Sequence, residues 1–276
     1  MTIFEAIVLG LAQGLAEFLP ISSSGHLALL EYFFGIEGES ALTFAVMLHI
    51  GTLVSVCVVY FREISALLVE LCMLVKDICT GKGPRVNMNP TRKLGFLLIT
   101  ATIPTGLMGV LLYDLFLAMY RSLETIGAGL LITGTILVIA ERMGQNKKTI
   151  DDLRYRNAVF VGVCQGVAIW PGISRSGATL FGGLISGLTR ESAVKFAFLI
   201  SLPSILGSAI LEAPNAFAAG TEMAMLLPIL VGMTVAAVAG IVAIKTMIRI
   251  VSGKRLIVFS IYTWALGAFV LAYALF

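Results

Sequence analysis

Six apolar runs divide the chain, at 42–61, 94–113, 123–140, 195–211, 225–245 and 256–276. Each approaches the roughly 20 helical residues that cross a hydrocarbon core, so about six transmembrane helices are expected. Two further regions, 1–36 and 157–188, have a different pattern. Each holds an apolar arm, a break at Pro20 or at Pro171-Gly172, a Ser/Gly turn and a short second arm, 27–36 or 179–188. A second arm of about ten residues rises only about 15 Å, half the core, and cannot cross alone. Each region therefore predicts a re-entrant helical hairpin with its tip near mid-membrane. Irregular backbone at that depth is tolerated only inside protein or against a wet cavity, so the tips are where a site is expected. The mixed stretch after the first run reads as an amphipathic helix at 63–79 and a loop at 81–90, with no functional signal.

The two hairpins are copies of one another. Residues 6–45 and 158–197 align without a gap and share about fifteen identities, among them Gln13/Gln165, Gly14/Gly166, Ser22/Ser174, Ser24/Ser176 and Gly25/Gly177. Shared apolar bias alone does not produce that agreement, and an internal duplication is expected. Loop charge gives its orientation. Lys and Arg gather in 62–93, 142–156 and 245–255, whereas 114–122 holds only Arg121 and 212–222 holds none. Cytoplasmic loops carry the positive excess. Six crossings with non-crossing hairpins satisfy every loop, place both termini outside, and bring the first hairpin in from outside and the second from the cytoplasm. The expected fold is an all-α polytopic membrane protein: one membrane domain of two inverted repeats, 1–145 and 146–276, whose hairpins (1–36 and 157–188) meet.

Composition agrees. A hydrophobic share of 58%, 13% charged residues and a mean hydropathy of +0.99 exclude a soluble domain. A formal charge of +3, spread over separate loops, gives no nucleic-acid surface. The first residues lack a basic segment and a small-residue cleavage site, so a retained N-terminus is expected. Cys57, Cys72, Cys79 and Cys164 have no metal-ligand spacing and read as free thiols.

Chemistry concentrates at the tips. The first carries Gln13, Glu17, Ser22, Ser23, Ser24, Gly25 and His26; the second carries Gln165, Ser174, Arg175, Ser176 and Gly177. Each Ser/Gly turn precedes a helix, so unpaired N–H groups, the positive end of the dipole and short hydroxyls favour an anion. Arg175 adds a permanently charged fork suited to phosphate oxygens. Ile169 stands where the first copy has Glu17, so acid and imidazole come from one half and guanidinium from the other. Gln13 and Glu17, four apart, share a helix face. Intramembrane Glu, His and Arg mark function because burying them is costly; the plainer reading is a structural Glu17–Arg175 ion pair with His26 on a backbone carbonyl. Gly10, Gly14, Gly162 and Gly166 read as helix-packing positions. His49, outside any motif, is expected to pack or support, and Lys195, Lys245 and Arg249 to mark span ends. The attacking group is either His26 or a serine, foremost Ser23, with His26 and Glu17 moving protons. A divalent cation, Mg²⁺ or Ca²⁺, would sit on Glu17 and Gln13. The competing class is a transporter or lipid flippase, since inverted repeats with broken helices serve transport as well.

The stretches Gly14-Leu15-Ala16-Glu17-Phe18-Leu19-Pro20-Ile21-Ser22-Ser23-Ser24-Gly25-His26 and Trp170-Pro171-Gly172-Ile173-Ser174-Arg175-Ser176-Gly177-Ala178-Thr179 closely resemble the undecaprenyl-diphosphatase, or bacitracin-resistance, family of bacterial membranes. The resemblance runs the whole chain. It implies a bacterial inner-membrane hydrolase that converts undecaprenyl diphosphate to the monophosphate and inorganic phosphate, recycling the cell-wall carrier lipid and conferring bacitracin resistance, with its site open to the outer face. By motif position it implies catalytic or diphosphate-binding roles for Glu17, Ser23, His26, Ser174, Arg175 and Ser176, with Glu17, Ser23, His26 and Arg175 expected to be catalytic; Ser22, Ser24, Gly25, Gly177 and Thr179 of the same turns are expected to add diphosphate contacts. The partners implied are the polyprenyl diphosphate lipid and the bilayer; a homodimer is compatible with it. The family motif often has glutamate where this chain has Gln13, which removes a second carboxylate.

Overall fold

The computed structural model describes the chain apart from residues 37–38, 144–145, 219–224, 254 and 276 and the side chains of 39–42 and 212–218. The side chains of the repeat matches Glu39-Ser40-Ala41 and of 212–218, and residues 219–222 and 254 altogether, thus lie outside what is described. Among those described, the order is α1 Ile3–Phe18, α2 Ser23–Phe34, α3 Glu39–Val59, α4 Phe61–Cys79, α5 Pro90–Leu111, α6 Tyr113–Tyr120, α7 Leu123–Arg142, a short 3₁₀ turn Ile150–Asp152, α8 Tyr155–Val167, α9 Arg175–Ile185, α10 Arg190–Ala218, α11 Leu226–Ser252 and α12 Ile257–Leu275. The architecture is all-α. Five helices (α5, α7, the first 22 residues of α10, α11 and α12) are long and apolar enough to cross a membrane, and α3 with α4 makes a sixth candidate bent by 90°.

Several boundaries differ from the apolar runs for local reasons. α5 begins at Pro90, before its apolar run, because Asn89 caps it and proline at the first position presets the helical φ. α6 lies in the expected connection 114–122, a helix too short to be seen by hydropathy. α2 and α9 begin at Ser23 and Arg175 rather than at 27 and 179. The Ser/Gly turns are therefore the first turns of these helices, initiated by serine caps.

Small residues set the packing. α1 lies on α11: a β-carbon at Gly10 would meet the Gly232 carbonyl oxygen at 2.5 Å, and one at Gly14 the Ala236 carbonyl oxygen at 2.5 Å. α8 lies on α5 in the same manner, with a β-carbon at Gly162 reaching the Ala101 carbonyl oxygen at 2.0 Å and one at Gly166 the Met108 sulfur at 2.4 Å. α7 packs on α12 and α3 on both α10 and α11. Phe18, Phe196, Phe198, Leu97, Leu137 and Ile244 belong to the largest buried cluster, which lies beside the two tips.

The ends carrying the basic loops are tied together. Arg190, at the start of α10, donates to the Glu141 carbonyl at the end of α7 (3.0 Å) and to the Val251 carbonyl at the end of α11 (3.4 Å). Lys195 pairs with Glu63 of α4 at 2.9 Å, and Lys93 of α5 reaches the Asp151 carbonyl. On α5, Arg92 binds Glu70 at 2.9 Å and Asp77 at 2.7 Å, joining α4 to the same end.

Candidate active site

Both tips are made by one local device. Ser22 caps α2, its Oγ accepting the Gly25 N–H at 3.2 Å, and Ser174 caps α9, its Oγ accepting the Gly177 N–H at 3.2 Å. Each capping hydroxyl also pairs with the serine two residues on, Ser22 with Ser24 at 3.2 Å and Ser174 with Ser176 at 3.1 Å. Such caps satisfy one orphan donor of the first turn. The N–H groups of Ser23, Ser24, Arg175 and Ser176 have no partner among the described residues. The copies differ in strain: Ser174 has φ −71°, whereas Ser22 has φ 71°, a left-handed conformation that costs a side-chain-bearing residue about 1–3 kcal/mol.

The tips touch. Ser176 Oγ donates to the Leu19 carbonyl at 3.2 Å, and a β-carbon at Gly25 would lie 3.3 Å from Gly172 Cα. α7 braces the second tip: Thr133 Oγ1 accepts the Ser174 N–H at 2.9 Å and donates to the Gly172 carbonyl at 2.8 Å, while Trp170 Nε1 donates to the Thr125 carbonyl at 3.0 Å. Gly172 has φ 89°, and a β-carbon there would meet the Ile126 carbonyl oxygen at 2.2 Å, so only glycine fits.

Glu17 is the centre of the site. It is 5% exposed. Its Oε2 accepts from Ser23 Oγ at 2.7 Å and from Gln13 Nε2 at 3.1 Å, Arg175 Nη2 stands 3.4 Å from its Oε1, and His49 Nε2 stands 3.8 Å from its Oε2. Beside it Glu17, Arg175, Ser176, Thr179, Phe198 and Ser201 line a cavity of ≈ 10 Å³, room for about one water. A hydroxyl bonded to a carboxylate, with a guanidinium opposite, can supply a nucleophile, a base and a charge stabiliser in one cluster.

His26 faces elsewhere. Its Nδ1 contacts the Ser22 carbonyl at 2.7 Å and its Nε2 the Tyr262 hydroxyl of α12 at 2.7 Å. Of the sequence-predicted residues, Gln13, Glu17, Ser23, Arg175 and Ser176 are thus gathered at the tips. Ser22, Ser24, Gly25, Ser174 and Gly177 form the capped turns around them. Thr179 lines the cavity, its hydroxyl donating to the Arg175 carbonyl at 2.8 Å and steadying the first turn of α9. Both parts of the plainer reading, the Glu17–Arg175 pair and the His26–carbonyl bond, are present alongside the Ser23–Glu17 pair. The four cysteines are free.

His49, Thr133 and Tyr262 join these groups from outside the motifs. His49 carried a signal, an ionisable group in an apolar span, and its Nε2 lies 3.8 Å from Glu17 Oε2. Thr133 and Tyr262 carried none, being ordinary helical residues in apolar runs.

Oxygen donors of the kind hard cations take are present at Glu17. Among the described residues no group of three His, Cys, Asp or Glu side chains is arranged for a metal. Gln13 Oε1, however, is buried without a hydrogen-bond partner among the described residues, on the amide whose Nε2 donates to Glu17. An orphaned amide oxygen and a carboxylate are donor types of the kind that Mg²⁺ and Ca²⁺ take, with water or substrate completing the shell.

The family model described as "Bacitracin resistance protein BacA" matches residues 6–269. A protein of Alkaliphilus metalliredigens named undecaprenyl-diphosphatase is 45% identical over 275 residues, 100% of both chains. Proteins with the same name from Desulforapulum autotrophicum and Carboxydothermus hydrogenoformans are each 41% identical, over 97% and 98% of this chain and 96% and 97% of their own.

Proposed function

The chain belongs to the bacitracin-resistance BacA family, and from that premise we propose how its site performs the hydrolysis for which its full-length relatives are named. It is a multi-pass membrane undecaprenyl-diphosphatase, converting undecaprenyl diphosphate to undecaprenyl phosphate and inorganic phosphate. The observation that carries the mechanism is the 2.7 Å bond from Ser23 Oγ to the buried Glu17 carboxylate, opposite Arg175. Ser23 Oγ attacks the terminal phosphorus as Glu17 takes its proton. The bond from that phosphorus to the bridging oxygen breaks, and undecaprenyl phosphate leaves. Water then attacks the phosphoserine, restoring the hydroxyl and releasing inorganic phosphate. Arg175 and the free N–H groups of both tips hold the transferring oxygens, the largest contribution expected in phosphoryl transfer. His26, one helical turn beyond Ser23, serves the proton transfers of the hydrolytic water.

Glu17 and Gln13 would hold a divalent cation, which when bound neutralises charge on the diphosphate. The fold reading that accompanies this is two inverted halves, 1–145 and 146–276, with re-entrant hairpins α1–α2 and α8–α9. It is supported by the matched serine caps and by the exchange of partners, α1 on α11 and α8 on α5. The shared end of the basic loops supports a cytoplasmic face there, with both termini and the mouth of the site on the outside.

The test is phosphate release from a polyprenyl diphosphate by purified protein in detergent, with and without chelator, beside Glu17→Ala, Ser23→Ala, His26→Ala and Arg175→Ala. Cation-dependent release lowered by about a hundred-fold or more in each of the four folded variants is expected. Normal turnover in Ser23→Ala removes serine as nucleophile, and bound but uncleaved diphosphate in wild-type protein turns the reading toward transport.

A further inference from the structure

We propose that Tyr262 is a positioning residue for His26, a tie from the last helix of the second half to the reacting helix of the first. The inference rests on the role given to His26 above. His26 Nδ1 lies 2.7 Å from the Ser22 carbonyl oxygen, which can only accept, so Nδ1 carries the proton. In the neutral ring Nε2 is then the acceptor, and the group 2.7 Å from it, the Tyr262 hydroxyl, must be the donor. The two rings also stack, with centroids 5.7 Å apart and planes 14° from parallel. Tautomer, ring plane and the direction of the Nε2 lone pair are therefore set by two groups, one of them some 236 residues away. A histidine that takes protons needs its lone pair fixed toward its partner, and the nitrogen left available is decided by the bond the other makes.

Several features make this a built contact rather than a chance one. Ser22 offers its carbonyl from a left-handed turn that few non-glycine residues adopt, so the strained backbone of the cap and the orientation of His26 are one device. α12 is held against α7 by close packing, a β-carbon at Gly134 meeting the Trp264 ring at 2.4 Å and one at Gly267 the Gly127 carbonyl at 2.9 Å. The same α7 braces the second tip through Thr133. Tyr262 thus sits on a helix indexed to the opposite half of the site, and its hydroxyl holds the Nε2 position until a substrate oxygen or water takes its place. Ala178 stands in the second copy where the first has His26, so the tie exists in one half only.

The test compares Tyr262→Phe, which keeps the ring and its stack, with wild type, in the His26 and the His26→Ala backgrounds. Loss of one neutral hydrogen bond predicts a kcat lowered about ten-fold with KM little changed, and no further loss when His26 is already alanine. A readout independent of turnover is the rate at which diethyl pyrocarbonate modifies His26, followed by mass spectrometry of its peptide. Freeing Nε2 should raise that rate in Tyr262→Phe. An equal loss of kcat in both backgrounds, or an unchanged modification rate, overturns the proposal. Full turnover in His26→Ala would remove histidine from the reaction and Tyr262 with it. Loss in His26→Ala without loss in Tyr262→Phe would sink the tie alone.

Discussion

Ser23 lies six positions after Glu17, and the sharp turn at Leu19 to Ser22 folds the first turn of α2 back onto the last turn of α1, so that the hydroxyl meets the carboxylate at 2.7 Å. Glu17 then has four neighbours: a hydroxyl, which it activates in the proposed mechanism, a guanidinium, an amide and an imidazole. Replacing it by glutamine keeps the shape and removes the proposed base. Glu17→Gln should lower kcat by about 10²–10⁴-fold, the span of a lost general base, with the protein still folded in size-exclusion and thermal scans. Turnover within a few-fold of wild type would show that Ser23 does not depend on it. Gln13 offers the complementary test. Its amide donates to Glu17 and leaves Oε1 unpaired, so a cation would gain one neutral oxygen there. Gln13→Glu supplies a second charged oxygen, and phosphate release should then need less free Mg²⁺ or Ca²⁺. An unchanged cation titration would place the ion elsewhere.

At the level of elements, the tips stay in place because glycines let α1 and α8 lie directly on backbone. A methyl at Gly162 would come 2.0 Å from the Ala101 carbonyl oxygen, which neither rigid backbone can yield. Gly162→Ala should cost about 1–3 kcal/mol, read as a lower thermal midpoint in detergent, and move the second tip enough to depress turnover. Thr133→Val acts without crowding: it strips the bridge between the Ser174 N–H and the Gly172 carbonyl, leaving two buried groups unpaired at about 1–3 kcal/mol each. A larger fall in kcat than in stability is expected, and an unchanged kcat would mean α7 does not hold the tip. These two positions also show what was legible beforehand. Gly162 is half of a spaced glycine pair repeated at Gly10, and the serine caps, Glu17 and Arg175 stand out as polar residues where polarity is costly. Thr133 and Tyr262 look like any residue of an apolar helix. Their meaning comes from which helix lies across the site, and periodicity carries no information about partners so distant in the chain. The early start of α2 and α9 was hidden for another reason: a serine run scores as turn, although its first serine is what begins the helix.

For the molecule as a whole, the pattern of partners constrains orientation. Arg190 binds the ends of α7 and α11, Lys195 binds α4, and Lys93 reaches the 3₁₀ turn, so the loops rich in Lys and Arg meet at one end. Positive charge is retained on the cytoplasmic side. On the proposed orientation the start of α1 belongs to the opposite face, with the first tip approached from outside and the second arising from the cytoplasmic end. Cys79, exposed at the end of α4, and position 2 next to α1 report the two faces. In a chain whose other cysteines are serine, a membrane-impermeant maleimide should label Cys79 in inside-out vesicles only. With all four replaced, Thr2→Cys should be labelled in right-side-out vesicles only. Labelling of both from the same side would break the inverted arrangement, and with it the reason for one half to supply acid and hydroxyl while the other supplies the arginine: two hairpins entering from one face would run parallel, and their capped helix starts would no longer oppose each other across the diphosphate.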